Sequence, residues 1–229
     1  MPTSSSGLAT KSLAVLRKDI LSEYRTRYAI NAILLFGVTT LTVVSFSVGQ
    51  LGLPADVYAA LFWIIIFFSA MSGLAQVFVK EEESRTAIVL RLTSDPTAVY
   101  LGKLAFNFLL LALLELVITP LFFVLTDARM ANGGLFLIVL TVGSIGLAGA
   151  STLIAAIISK ASIKGALFAV LSFPILLPLL IGAIAGTRKA LGVTENPFSA
   201  AAPELQLLIS YAVVMITASL LLFEFVWEE

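Results

Sequence analysis

Apolar residues gather in six long runs, at about residues 28–50, 57–79, 104–126, 132–158, 163–186 and 204–227, with polar residues confined to the stretches between them. Each run holds the roughly 20 predominantly apolar residues that a helix needs to cross about 30 Å of hydrocarbon. The pattern predicts an all-α polytopic membrane protein of six transmembrane helices, and an even number of crossings returns the chain to its starting side. Before the first run, KSLAVLRKDILSEYRTR (residues 11–27) places Leu13, Leu16, Ile20 and Tyr24 at helical spacing among basic residues. That pattern predicts an N-terminal amphipathic helix on the membrane surface, with a plain solvated helix as the alternative. No internal repeat or soluble domain is visible, so residues 1–27 read as an arm and 28–229 as one six-helix domain.

The polar stretches differ in kind. Most are short, but residues 80–103, KEEESRTAIVLRLTSDPTAVYLGK, form a charged segment much longer than the roughly 2 to 8 residues usual between packed helices. A helix is predicted from Glu81 to Leu92, with Glu81, Glu82, Glu83 and Ser84 in a first turn where the dipole favours negative charge. Ser94 and Asp95 are turn formers, and Pro96 should end that helix before the chain re-enters the membrane at Lys103. A solvated connector is one reading of this segment; a compact element offered to a partner is the other. Residues 187–203, between runs five and six, predict a second long loop.

Composition narrows the class. The chain is 59% hydrophobic and 12% charged, against roughly 45–50% and roughly 25% in soluble domains. Its net charge is zero, so no basic field points to nucleic acid. The absence of Cys and His removes disulfides, thiol nucleophiles, Cys/His zinc sites and the imidazole base. No metal site, bound cofactor or enzyme activity is therefore expected of this chain, and no glycine-rich phosphate loop is present. The start lacks a long apolar core followed by a small-residue cleavage site, so a removable signal peptide is not expected. Charge placement sets the orientation. Lys11, Arg17, Lys18, Arg25, Arg27, Lys80, Arg85, Arg91, Lys103, Lys160 and Lys164 fall on one side; Arg129, Arg188 and Lys189 fall on the other. The positive-inside rule then puts both termini in the cytoplasm and residues 187–203 outside it.

Some positions inside the apolar runs could carry function. Asn107 and Glu115 lie within one sector of about 80 degrees on the third helix, with Glu115 near mid-membrane, where a charged carboxylate is costly. They read either as a polar path or subunit interface, or as interhelical hydrogen bonds that fix packing. Glu224 and Trp227 read as an interfacial anchor. TVGSIGLAGASTLIAA carries overlapping small-residue pairs suited to close internal packing. Pro174 and Pro178, in SFPILLPLLIGAIAG, leave the carbonyls of Val170 and Pro174 without helical partners and predict a hinge or a static kink.

In order along the chain, LAVLRKDILSEYRTR leading into NAILLFGVTTLTVVSFSVG, FVKEEESRTAIVLRLTSDPTAVYLGK, LSFPILLPLLIGA and LLFEFVWEE resemble the CcmB family, haem exporter protein B. Arg91 and the RLTSDP turn stand where that family is more leucine-rich. The resemblance implies an ABC-2-type permease-like fold in the bacterial inner membrane, working as a homodimer with a separate CcmA-type ATPase that binds the ATP. It further implies that the segment containing Glu81, Glu82, Glu83, Arg85, Arg91, Asp95 and Pro96 couples to that ATPase, that haem is the cargo, and that CcmC- and CcmD-type subunits are neighbours. A permease for another lipid-like or polysaccharide cargo, or a non-transporting scaffold, remains the alternative.

Overall fold

The computed structural model describes residues 5–48, 52–83, 86–159, 164–193 and 195–228. Ten helices are present among these residues: α1 (Ser5–Thr26), α2 (Tyr28–Val48), α3 (Ala55–Gly73), α4 (Gln76–Glu83), α5 (Ala87–Thr93), α6 (Pro96–Thr126), α7 (Gly133–Ile158), α8 (Lys164–Leu191), α9 (Pro197–Ala200) and α10 (Ala202–Glu228). Six helical stretches are long and apolar enough to cross a membrane: α2, α3 continued by α4, α6, α7, α8 and α10. Each overlaps one of the six apolar runs, with α6 starting eight residues before the third run and α8 extending to Leu191, beyond the fifth.

Local chemistry places the turns. Arg27, at φ 52°, breaks the chain between α1 and α2, and the Glu23 carboxylate accepts a hydrogen bond from the Ile30 amide at 3.0 Å. That acid therefore satisfies one of the free N–H groups opening α2. Asp127, at φ 51°, ends α6; Asn132 caps α7 by accepting from the Leu135 amide at 2.8 Å.

α7 is the most enclosed of the spans and packs against α8, α10 and α6, while α3 lies against α2 and α8. Its small residues allow this closeness. A Cβ on Gly143 would stand 2.5 Å from the Trp63 ring, whose indole N–H donates to the Thr187 hydroxyl at 2.8 Å. Aromatic rings fill the core near one end, where Phe62 meets Trp63, Phe122 and Phe136 edge to face. Near the other end Phe78, Tyr100, Phe223 and Trp227 form a second group. The outer faces of α2 and α10 expose Leu35, Phe46, Val214, Leu221 and Phe225, as a wall facing lipid requires.

Three sequence expectations need correction. The helix predicted from Glu81 to Leu92 is two helices, so the three glutamates end α4 instead of opening a helix. Pro96 does not merely stop a helix: it opens α6 at its first turn, where a missing N–H costs nothing, and Lys103 lies about two turns inside α6. The loop expected across 187–203 is mostly helical, with α8 running to Leu191 and α10 starting at Ala202. There Lys189 pairs with Glu204 at 2.6 Å, and the Ala190 carbonyl accepts from the Asn132 amide at 2.8 Å.

Candidate functional site

The charged segment and both terminal helices meet at one end of the bundle. α1 packs along α6 there, and the contact depends on Gly102. A Cβ at that position would stand 2.7 Å from the Val15 Cβ and 2.8 Å from the Ser12 carbonyl, so only glycine admits α1 this closely. The next residue, Lys103, is wholly buried. Its ammonium donates to the Glu81 carboxylate at 2.8 Å, the Val77 carbonyl at 2.8 Å and the Asp19 carboxylate at 3.2 Å, and stands 5.5 Å from the centre of the Phe78 ring. An ammonium has three N–H donors, and each has an acceptor here.

Lys18 completes the cluster. It pairs with Asp19 at 3.0 Å and also with Glu81, giving two cations and two carboxylates contributed by α1, α4 and α6. Burial alone would lower the Lys18 pKa, but the neighbouring Asp19 and Glu81 carboxylates outweigh it and hold the ammonium above its ordinary value. The cluster borders a cleft of about 870 Å³ between α1 and α4, lined by Lys18, Asp19, Glu81, Glu23, Glu83 and Phe106 among others. Lys80 reaches the Thr26 hydroxyl at 3.1 Å, and Lys11 reaches Asp95, just before α6, at 2.7 Å.

α5 is held to this assembly on one face. Ala87 and Leu90 are buried, the Thr86 hydroxyl donates to Glu81 at 2.5 Å, and Arg91 pairs with Glu82 at 3.3 Å. The Arg91 guanidinium also lies 5.1 Å from the centre of the Trp227 ring, which stacks on Phe223. Of the pair expected as an interfacial anchor, Trp227 is a buried seat for α5 and Glu224 is exposed. The opposite face of α5 carries Ile88 and Leu92, one turn apart and 61% and 83% exposed. Glu83, at the end of α4, is exposed.

The residues expected to couple thus separate by orientation. Glu81 turns inward to the Lys103 cluster; Glu82 and Arg91 pair with each other; Asp95 pairs with Lys11; Pro96 opens α6. Arg85 lies outside the described residues. In the sequence Lys11, Lys18 and Lys103 stand out only as charges that set the topology, and Asp19 does not stand out at all. One signal was available: Asp19 shares the helical face of Ser12 and Val15, opposite the exposed Leu13, Ile20 and Tyr24.

Deeper in the bundle, Asn107 donates to the Thr152 hydroxyl at 2.9 Å and Glu115 is hydrogen-bonded to Ser144, so both face α7. Pro174 and Pro178 lie on the exposed side of α8, which continues as helix through both, and the Tyr211 hydroxyl donates to the Ile175 carbonyl at 2.9 Å. Among the described residues no group of acidic side chains is arranged to hold a metal ion.

A comparison with curated proteins finds no match. The family model described as CcmB protein matches residues 10–226, from α1 through the last turns of α10. The match runs over most of α1, the charged segment and the six spans, and supports a membrane component of the haem exporter of cytochrome c maturation. By the extent of that match, this chain belongs to the CcmB family.

Proposed function

We propose that the chain is the permease subunit of an ATP-driven exporter in the bacterial inner membrane, with both termini cytoplasmic, and that a separate CcmA-type ATPase docks on α5. One observation carries the reading: Ile88 and Leu92 form an exposed apolar pair on a short helix outside the membrane-spanning runs. Water is a poor environment for two such side chains one turn apart, and burying both against a protein removes apolar area worth about 25 cal/mol per Å².

In this reading the ATPase binds and hydrolyses ATP, and closure of two ATPase subunits pushes α5 in each of two copies of this chain. Because α5 is bonded to α4 through Glu82 and Glu81 and to α10 through Trp227, a push on it reaches the spans. Haem is the cargo that family membership favours, and CcmC- and CcmD-type subunits are further neighbours in the same bilayer.

The experiment is co-purification in mild detergent. The unmodified chain should recover the ATPase, and the pair Ile88→Asp with Leu92→Asp should reduce that recovery at least tenfold without altering the amount of folded chain. If no ATPase accompanies the unmodified chain, or the substituted pair binds it normally, the assignment fails. Yield of c-type cytochrome in a deletion strain separates haem export from a permease for another cargo.

A further inference from the structure

We infer that Lys103 is a positioning residue that locks α1, α4 and the start of α6 into one rigid unit, so that a push on α5 displaces the three helices together. This rests on the ATPase-coupled function proposed above. The coupling segment hangs between α4 and α6, and a force applied to it could pry those helices apart instead of moving them. Lys103 is the side chain that prevents separation. Its ammonium sits on α6 and is held by Glu81 and the Val77 carbonyl of α4 and by Asp19 of α1, with its surface fully buried.

The surroundings make the bond the decisive one. The second half of α1, from Lys18 to Thr26, is separated from α4 by the cleft, and charged side chains on its walls bridge the two helices where packing does not. α5 joins the same network, since Thr86 donates to Glu81, the carboxylate that also accepts from Lys103. A contact between side chains in low dielectric is strong while intact and leaves an uncompensated charge when broken, which favours motion as a unit over partial opening.

The test uses the full chain with its ATPase. Lys103→Met alone leaves Asp19 and Glu81 with a single cation and is open to misfolding, so the informative variant is D19N/K103M. It removes one charge of each sign and leaves Glu81 paired with Lys18. The natural chain contains no Cys, so spin labels can be set by Leu13→Cys on α1 and Thr97→Cys on α6. In the otherwise unmodified chain the distance between labels should stay single and constant through ATP turnover. In D19N/K103M it should broaden, the ATPase should still co-purify, and c-type cytochrome yield should fall at least tenfold.

Full cytochrome yield from D19N/K103M overturns the inference. So does loss of ATPase binding or of the folded chain in that variant, which would make the cluster an element of docking or folding alone. Failure of the unmodified chain to recover any ATPase instead condemns the function proposed above, and the label distance then still reports whether the cluster ties α1 to α6.

Discussion

Lys103 is expected to be the most sensitive single residue at the charged end of the bundle. Breaking a buried ion pair by removing one partner costs about 3–5 kcal/mol, and Lys103→Met should approach the lower figure because Lys18 remains beside both carboxylates. Thermal unfolding in detergent should show the loss, with D19N/K103M recovering most of it. Gly102→Ala acts on packing instead: its methyl meets the Ser12 carbonyl, which cannot rotate away, so about 1–3 kcal/mol should be lost and α1 should become open to protease. Lys18 adds a pH dependence. Its folded pKa lies above the ordinary lysine value of 10.5, so its stabilising contribution is complete below that value and is lost as pH rises through the folded pKa. Alkaline titration of α1 protease sensitivity should therefore show a step that Lys18→Met abolishes.

At the scale of elements, α5 is a short helix with two unlike faces, and its bonded face offers an optical readout. The chain has two tryptophans, Trp63 and Trp227. In a Trp63→Phe background the emission reports Trp227 alone, beneath the Arg91 guanidinium. Arg91→Ala removes a cation–π contact worth about 0.5–2 kcal/mol and one ion pair, so emission should shift to the red as α5 loosens. Between α6 and α7, Ser144→Ala should cost about 1 kcal/mol, in line with interhelical hydrogen bonds measured in membranes. A double-mutant cycle with Glu115→Gln should show coupling between the two positions. Independence of the two substitutions would remove the bond from the account of how α6 and α7 adhere.

For the whole molecule, the central prediction is orientation. By the positive-inside rule the sequence assigns eleven basic residues to the side of α1 and the charged segment and three to the other. In intact cells a membrane-impermeant thiol reagent should leave Thr97→Cys unlabelled and should modify Met130→Cys, both of which are accessible in the fold. The reverse pattern would invert the molecule and remove the ATPase from the side where α5 lies. The six spans are arranged with α7 enclosed and with α2 and α10 presenting apolar walls, so a second copy or another membrane subunit has lateral surface to meet without disturbing the charged end.

The number of spans, their order, the N-terminal helix and the separate character of the charged segment were legible in the sequence, because a bilayer imposes length and apolarity on each crossing independently of its neighbours. Lys103 was visible only as a charge near a boundary, Asp19 as one acid among basic residues, and Glu81 as part of an exposed acidic run. Their meeting depends on the angle at Arg27, the closeness allowed by Gly102 and the break between α4 and α5, none of which hydrophobic periodicity encodes. Trp227 beneath Arg91 joins positions 136 residues apart in the chain for the same reason. By itself the sequence determined which segments must enter lipid and which could remain in water. Only the tertiary structure decided which charges face one another, because pairing in a low dielectric depends on distances of a few ångströms set by helix packing.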